Sequence, residues 1–246
     1  MSDERIAMES TKFDRSRWAD RKFSQDYRDE ASYYLPFRQL FVEVTKSVVE
    51  HFLAHKTTIK LLDLGCGDGF FVERFNPGPD DDVVLIDGSN EMLEASKRRL
   101  STYGNIRYIR SSFQELVMSD PLSEKFDLVF SSLAIHHLVQ NDKFNLYRYI
   151  YDHLEENGIF INYDVVLAPS DRLEDWYISF WQQYIDRNDQ TEINDRMKMI
   201  PYSYKDNPDN VPDTLEDQIN ALKKIGFSNI DCYFKFGVFC LFGGTK

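Results

Sequence analysis

The run Leu61-Leu62-Asp63-Leu64-Gly65-Cys66-Gly67-Asp68-Gly69 narrows the fold of this chain more than any other stretch. A short apolar strand runs into glycines at alternate positions, and a helix can open at Gly69. Glycine permits the tight turn and lets backbone N–H groups approach a ligand closely. A helix N-terminus there favours a negative group on that ligand. Asp87 closes the next apolar run, eighteen positions after Gly69. A carboxylate at that offset is placed to accept hydrogen bonds from ribose hydroxyls, so the expected ligand carries a nucleoside. Dinucleotide binding calls for Gly or Ala at the third place of G-x-G-x-x-G. Phe70 stands there, which weighs against a nicotinamide cofactor.

The remaining pattern supports an α/β sheet. Apolar runs at 59–64, 83–86, 106–109, 126–130 and 159–161 read as buried strands, and helical stretches lie between them. Alternation of this kind implies a parallel sheet covered on both faces. Tyr33, Phe37, Leu40, Phe41, Val44, Val48 and Phe52 predict one leading helix, with Pro36 near its start. Ser89 caps a helix to Leu100. A helix over 141–154 is expected to stop before Gly158. Leu173, Trp176, Tyr177, Phe180, Trp181, Tyr184 and Ile185 form the apolar stripe of a helix over 171–185. Residues 186–212 are polar, contain three prolines and read as a connection or lid. Thr214 and Gly226 bracket a last helix, and 230–236 with 238–242 read as a hairpin around Gly237. The first 29 residues carry Phe13, Trp18, Phe23 and Tyr27, recurring aromatics that predict docking over a ligand.

Composition excludes several function classes. The formal charge is −12, which repels phosphate backbones, so direct nucleic-acid binding is not expected. Lys97, Arg98 and Arg99 read as the solvated face of a helix. The three cysteines, Cys66, Cys232 and Cys240, form no Cys-x-x-Cys pair, so neither a disulfide framework nor a metal site is expected. No signal-peptide core and no apolar run of membrane-spanning length is present. A reducing cytoplasmic setting follows as the expectation.

The residues from Asp63 to Gly69 resemble the first motif of the class I S-adenosylmethionine-dependent methyltransferases, small-molecule members of the type 11 and type 12 kind included. Val84-Leu85-Ile86-Asp87 resembles their acidic second motif. Phe126 to Ser132, followed by Ile135-His136-His137-Leu138, resembles the fourth-strand motif, and Leu154 to Phe160 resembles the entry to the fifth strand. The resemblance spans about residues 59 to 166 and resumes near 214. It implies a Rossmann-like, mostly parallel seven-stranded sheet of order 3-2-1-4-5-7-6, with helices on both faces and an N-terminal and inserted helical cover. It also implies four regions: a helical cap (1–55), the cofactor-binding core (56–166), an inserted lid (167–213), and a final helix and hairpin (214–246).

The cofactor so implied is S-adenosylmethionine, leaving as S-adenosylhomocysteine. Gly65, Cys66 and Gly67 would line it, Asp63 would act near its amino group, and Asp87 with Gly88 would hold the ribose. Met92, Ser112, Phe113 and Ser131 complete the set, with Phe113 packing on adenine and Ser112 as its polar contact. Methyl transfer from a sulfonium needs alignment and exclusion of water, and needs a base only when the nucleophile holds a proton. His136 and Asp164, on the rim after strands 4 and 5, are the catalytic candidates. Tyr33, Tyr34, His137, Trp181 and Tyr184 are the candidates for touching substrate. The expected partner is a small molecule, and a homodimer is among the assemblies allowed. Two other functions share these motifs: synthesis of carboxy-S-adenosylmethionine for tRNA modification, and cofactor binding without catalysis.

Overall fold

A computed structural model describes Phe13, residues 16–187 and residues 195–246. Seven strands form one sheet of order β3-β2-β1-β4-β5-β7-β6. The strands are β1 (Lys60–Leu64), β2 (Asp82–Asp87), β3 (Ile106–Arg110), β4 (Phe126–Ser132), β5 (Leu154–Val165), β6 (Ser228–Phe236) and β7 (Phe239–Thr245). The first five run parallel, and β7 inserts antiparallel between β5 and β6. This is the sheet that the motif resemblance implies.

Side-chain alternation along the central strands divides the core in two. Leu61, Val83, Leu85, Leu128, Phe130, Ile159 and Ile161 face one layer. Leu62, Leu64, Val84, Ile86, Val129 and Phe160 face the other. The first layer is covered by α1 (Arg21–Tyr34), α2 (Arg38–Phe52), α3 (Phe70–Phe75) and α4 (Asn90–Arg99). The second is covered by α5 (Phe113–Ser119), α6 (Gln140–His153) and α9 (Leu215–Ile225). Phe71 stacks on Phe130 and Phe41 on Tyr163, so helix α3 and helix α2 are each fixed to the sheet by an aromatic pair. The chain leaves β1 towards β2 and β3, then returns to β4 on the other side. That reversal opens a crevice at the carboxyl ends of β1 and β4, where ligands of such sheets bind.

Three local departures from the sequence expectation have plain causes. The leading helix is two helices, because Pro36 carries no N–H and Leu35 before it is extended, at φ −87° and ψ 113°. Phe37 then turns through the left-handed region at φ 55° and starts α2 at Arg38. The helix α6 ends at His153, and β5 begins at Leu154, so Gly158 lies inside the strand rather than marking a helix stop. A Cβ there would come within 2.9 Å of the Phe126 and Glu155 carbonyl oxygens, which explains the glycine. The 186–212 stretch contains a helix, α8 (Asp195–Ser203), which packs with α7 (Asp171–Arg187) and α1 as a cover over the crevice. Residues 188–194 of the expected lid, and most of the first fifteen, lie outside the described residues.

Candidate functional site

The turn from β1 into α3 is built for close approach. Gly65, Gly67 and Gly69 all hold positive φ, at 70°, 53° and 79°, which only glycine adopts without strain. A Cβ on Gly65 would sit 2.5 Å from that of Ala134, whereas one on Gly67 would meet no heavy atom within 4 Å. Gly67 therefore faces open space, in a cavity of ≈ 330 Å³. Its N–H donates to Asp87 Oδ2 at 2.9 Å, and Ser89 N–H donates to Asp87 Oδ1 at 2.7 Å. Burial pushes the Asp87 carboxyl up to about 6, against the lowering effect of these two N–H groups.

Asp63, at the end of β1, is 1% exposed, and neither of its oxygens has a hydrogen-bond partner. Burial raises its carboxyl well above the carboxylate range, and the nearby Asp87 and Asp68 raise it further. A buried, unpartnered carboxylate on a cavity wall calls for a cationic or donor group from the ligand. Arg38, at the start of α2, lines the same cavity with its guanidinium 3.7 Å from the Phe70 ring centroid. It forms no ion pair with a described carboxylate. One carboxyl and one guanidinium, neither with an ionic partner among the described residues, thus face a single space, the arrangement that an α-amino acid requires. The glycine cradle, Asp87 and this pair fit a nucleoside joined to an amino acid.

Another part of this cavity is walled by Ser111, Ser112, Phe113 and Gln114. Ser112 caps α5: its Oγ accepts from Glu115 N–H at 3.2 Å, while its own N–H donates to Glu115 Oε2 at 2.9 Å. Its hydroxyl is thereby committed to the capping box. Gly88 and Met92 line the cavity, and the Phe13 ring lies where a Gly88 Cβ would be, 2.5 Å away. Cys66 also lines it, and burial raises its thiol well above the usual range, leaving it neutral. Ser131 is buried and donates to the Leu64 carbonyl at 2.8 Å, so it braces β1 against β4 without reaching the cavity; Ser132 reaches it instead.

A second cavity of ≈ 340 Å³ adjoins the first, and Trp18, Tyr27, Leu133 and His137 wall both. Leu133, just after β4, is held at φ 52°. A branched side chain in that region costs about 1–2 kcal/mol, and such strain collects at functional sites. His136 lines the second cavity. Its Nδ1 lies 2.6 Å from Asp164 Oδ1, and its backbone N–H donates to Asp164 Oδ2 at 3.0 Å. Asp164 is fully buried and also accepts the Val165 N–H at 3.0 Å. With its oxygens already accepting two backbone N–H groups, Asp164 accepts from the ring as well, so Nδ1 carries the proton and Nε2 keeps its lone pair. No described residue bonds Nε2. Asp164 lines neither cavity and acts only through His136.

His137 has a different place. Its Nδ1 donates to the Asp209 carbonyl at 2.7 Å, and its Nε2 accepts from Trp18 Nε1–H at 2.9 Å. Burial, with His136 nearby, holds it well below the usual imidazole range, so it is neutral. Both nitrogens serve to clasp the turn at Arg17–Ala19 to the 204–213 segment. Arg17 adds a bond to Asn210 Oδ1 at 3.3 Å, and buried Lys143 donates to Asp213 at 2.8 Å. We expect Trp18→Phe to open this clasp and raise amide exchange in 16–34 and 204–213 by ~10-fold or more. Unchanged exchange in both segments would show that the clasp does not hold the cover.

Trp181 and Tyr34 line the second cavity, and the Trp181 indole donates to the Tyr34 carbonyl at 2.6 Å. Tyr33 and Tyr184 line neither cavity; Tyr184 packs on Phe37 and Phe236. Sequence reasoning missed Arg38 and the role of Trp18. Pro36 was the available signal for the first, since the helix break it causes sets Arg38 at the cavity. Trp18 pairs with His137 from 119 positions away, which no local pattern encodes.

Residues 61–158 match a family described as a methyltransferase domain. The chain is 22% identical over 236 residues to the carboxy-S-adenosyl-L-methionine synthase of Nautilia profundicola, covering 92% of this chain and 93% of that one. It superimposes on an O-methyltransferase family protein from Burkholderia thailandensis with a TM-score of 0.66 at 12% identity, over 95% of this chain but 62% of that one. A S-adenosylmethionine-dependent methyltransferase from Clostridium acetobutylicum gives a TM-score of 0.62 at 17% identity, over 91% and 97% of the two chains. The likeness to the two solved structures shows the fold.

Proposed function

We propose that this chain, whose residues 61–158 match a methyltransferase domain, is an S-adenosylmethionine-dependent methyltransferase of the class I kind that methylates a small-molecule acceptor held in the second cavity, with His136 as the base. The observation that carries this reading is the pair of adjoining cavities, one fitted to an amino-acid nucleoside and the other presenting an imidazole lone pair. S-adenosylmethionine supplies an electrophilic methyl group. Gly65 and Gly67 would receive it along the backbone, Asp87 would hold the ribose, Asp63 the amino group and Arg38 the carboxylate. Trp18, His137 and the 204–213 segment exclude water from the junction. Asp164 orients His136, which takes the proton that the acceptor loses.

Calorimetric titration tests the reading. S-adenosylmethionine and S-adenosylhomocysteine should both bind at micromolar strength, and failure of both removes it. Arg38→Met should weaken S-adenosylmethionine by ~10-fold, roughly one charge-assisted hydrogen bond, and leave decarboxylated S-adenosylmethionine unaffected. Equal loss for both would unseat Arg38 from the carboxylate. Affinity should also fall as pH drops through about 6, because Asp87 must be ionised to accept from two donors at once. Asp87→Asn should flatten that slope and cost about 1–3 kcal/mol; a slope that persists in the variant would assign it to another group.

Synthesis of carboxy-S-adenosylmethionine is the second reading, favoured by the named relative's coverage of nearly the whole chain. Arg38 is the one arginine lining the cofactor cavity among the described residues. Arg110 donates to the Gly88 carbonyl and Arg148 to that of Ile225, and Arg172 is exposed. The mass of any cofactor retained through purification separates the two. No described helix is long and apolar enough to cross a membrane. The free thiols of Cys66, Cys232 and Cys240 support a reducing cytoplasmic compartment. A small acceptor, no direct contact with nucleic acid, and a monomer or homodimer complete the proposal.

A further inference from the structure

The chemical class of the acceptor can be argued from what walls the second cavity, an argument that rests on the methyl-transfer reading above. Trp18, Phe23, Tyr27, Tyr34, Trp181 and Phe239 all face it. Its charged groups answer one another. Glu30 is the one carboxylate among the described lining residues, and it pairs with Arg196. Arg17 lies 3.6 Å from Asp209 and 4.7 Å from the Phe23 ring centroid. An acceptor arriving as an ammonium would meet two guanidinium groups and no uncommitted carboxylate. An acceptor arriving as a dianion would find one guanidinium paired with Glu30 and the other 3.6 Å from Asp209. Hydroxyl and amide groups of Ser203, Tyr204 and Asn207 also line the wall, but the Nε2 lone pair of His136, placed by Asp164, is the group on it that can take up a proton.

We propose that the acceptor is a small uncharged aromatic hydroxyl compound, methylated on oxygen. Flat rings pack well against an aromatic wall. A phenol lies near a pKa of about 10, roughly four units above an imidazole, whereas an aliphatic alcohol lies far higher, near water. Only the first gap is small enough for a general base to bridge as the new bond forms. In the step, the phenolic O–H bond breaks and its proton passes to His136 Nε2. The oxygen lone pair forms the O–CH3 bond, and the electrons of the S–CH3 bond stay on sulfur, giving neutral S-adenosylhomocysteine.

The test uses the full chain and three probes of similar size: 2-naphthol, 2-naphthylmethylamine and the saturated alcohol decahydro-2-naphthol. With S-adenosylhomocysteine bound, 2-naphthol should quench tryptophan fluorescence saturably and bind at least ~10-fold tighter than the amine. With S-adenosylmethionine, 2-naphthol should be methylated and the saturated alcohol should not. A fourth probe, 4-nitrophenol, is ionised at about pH 8 and needs no base; His136→Gln should lose ~100-fold with 2-naphthol and under ~10-fold with 4-nitrophenol. The selectivity between naphthol and its saturated alcohol needs no variant. Methylation of the amine or the alcohol in preference, or phenol binding without methylation, overturns the aromatic-hydroxyl assignment while cofactor binding stands. Absence of S-adenosylhomocysteine binding would instead overturn the methyl-transfer reading beneath it.

Discussion

His136→Gln lowers turnover by ~10²–10⁴-fold, the range for losing a positioned general base, and leaves S-adenosylmethionine affinity within about threefold. The imidazole lines only the second cavity, so its loss should not reach the cofactor. Glutamine keeps much of the volume and can still donate to Asp164, but it cannot accept a proton. Asp164→Asn should show an intermediate loss. The amide can no longer force Nδ1 to carry the proton, so part of the population presents the wrong tautomer. A His136→Gln enzyme with wild-type kcat would remove the imidazole from the chemistry, and loss of cofactor affinity instead would recast it as structural.

Asp63→Asn has two effects of opposite sign. S-adenosylmethionine affinity falls by ~10–100-fold, the range for a hydrogen bond to a charged group. The ligand-free protein becomes more stable, because a buried carboxylate with no partner is replaced by a neutral isostere. The folded carboxyl of Asp63 is raised above its unfolded value. Its ionisation therefore opposes folding as pH rises from about 4 towards the folded value, and is harmless below about 4. The thermal advantage of Asp63→Asn should grow over that rise in the absence of cofactor, and should shrink when cofactor is added. Scanning calorimetry with and without ligand reads both. A variant less stable at every pH with unchanged affinity would show that Asp63 is satisfied within the protein.

Much of the fold was legible because its signals are local. The β1 turn needs three positive-φ residues, and glycines stand at all three. Asp87 ends β2 in the place its offset demands. Ser89 and Thr214 cap helices through bonds to Met92 and Asp217 that a three-residue spacing reveals. The helix break at Pro36 was less legible, because the apolar face runs through it unchanged and only the missing N–H stops it. Within the site, the glycine turn could be read from its own residues. The pairing of His136 with Asp164 could be reached only as two rim positions, since their 2.6 Å contact depends on the β4–β5 register. The clasp of Trp18 on His137 joins segments more than a hundred positions apart. Ser112 illustrates the reverse limit: its position faces the cavity, but the Glu115 three places on takes its hydroxyl.

The most direct test of methyl transfer to a small acceptor is to incubate the full chain with methyl-labelled S-adenosylmethionine and a small-molecule extract, beside His136→Gln. Label should appear in a low-mass product with the wild-type protein and be absent with the variant. Label that stays on the cofactor, on a cofactor enlarged by a carboxylate, or that moves to nucleic acid or protein, would contradict the proposed reaction.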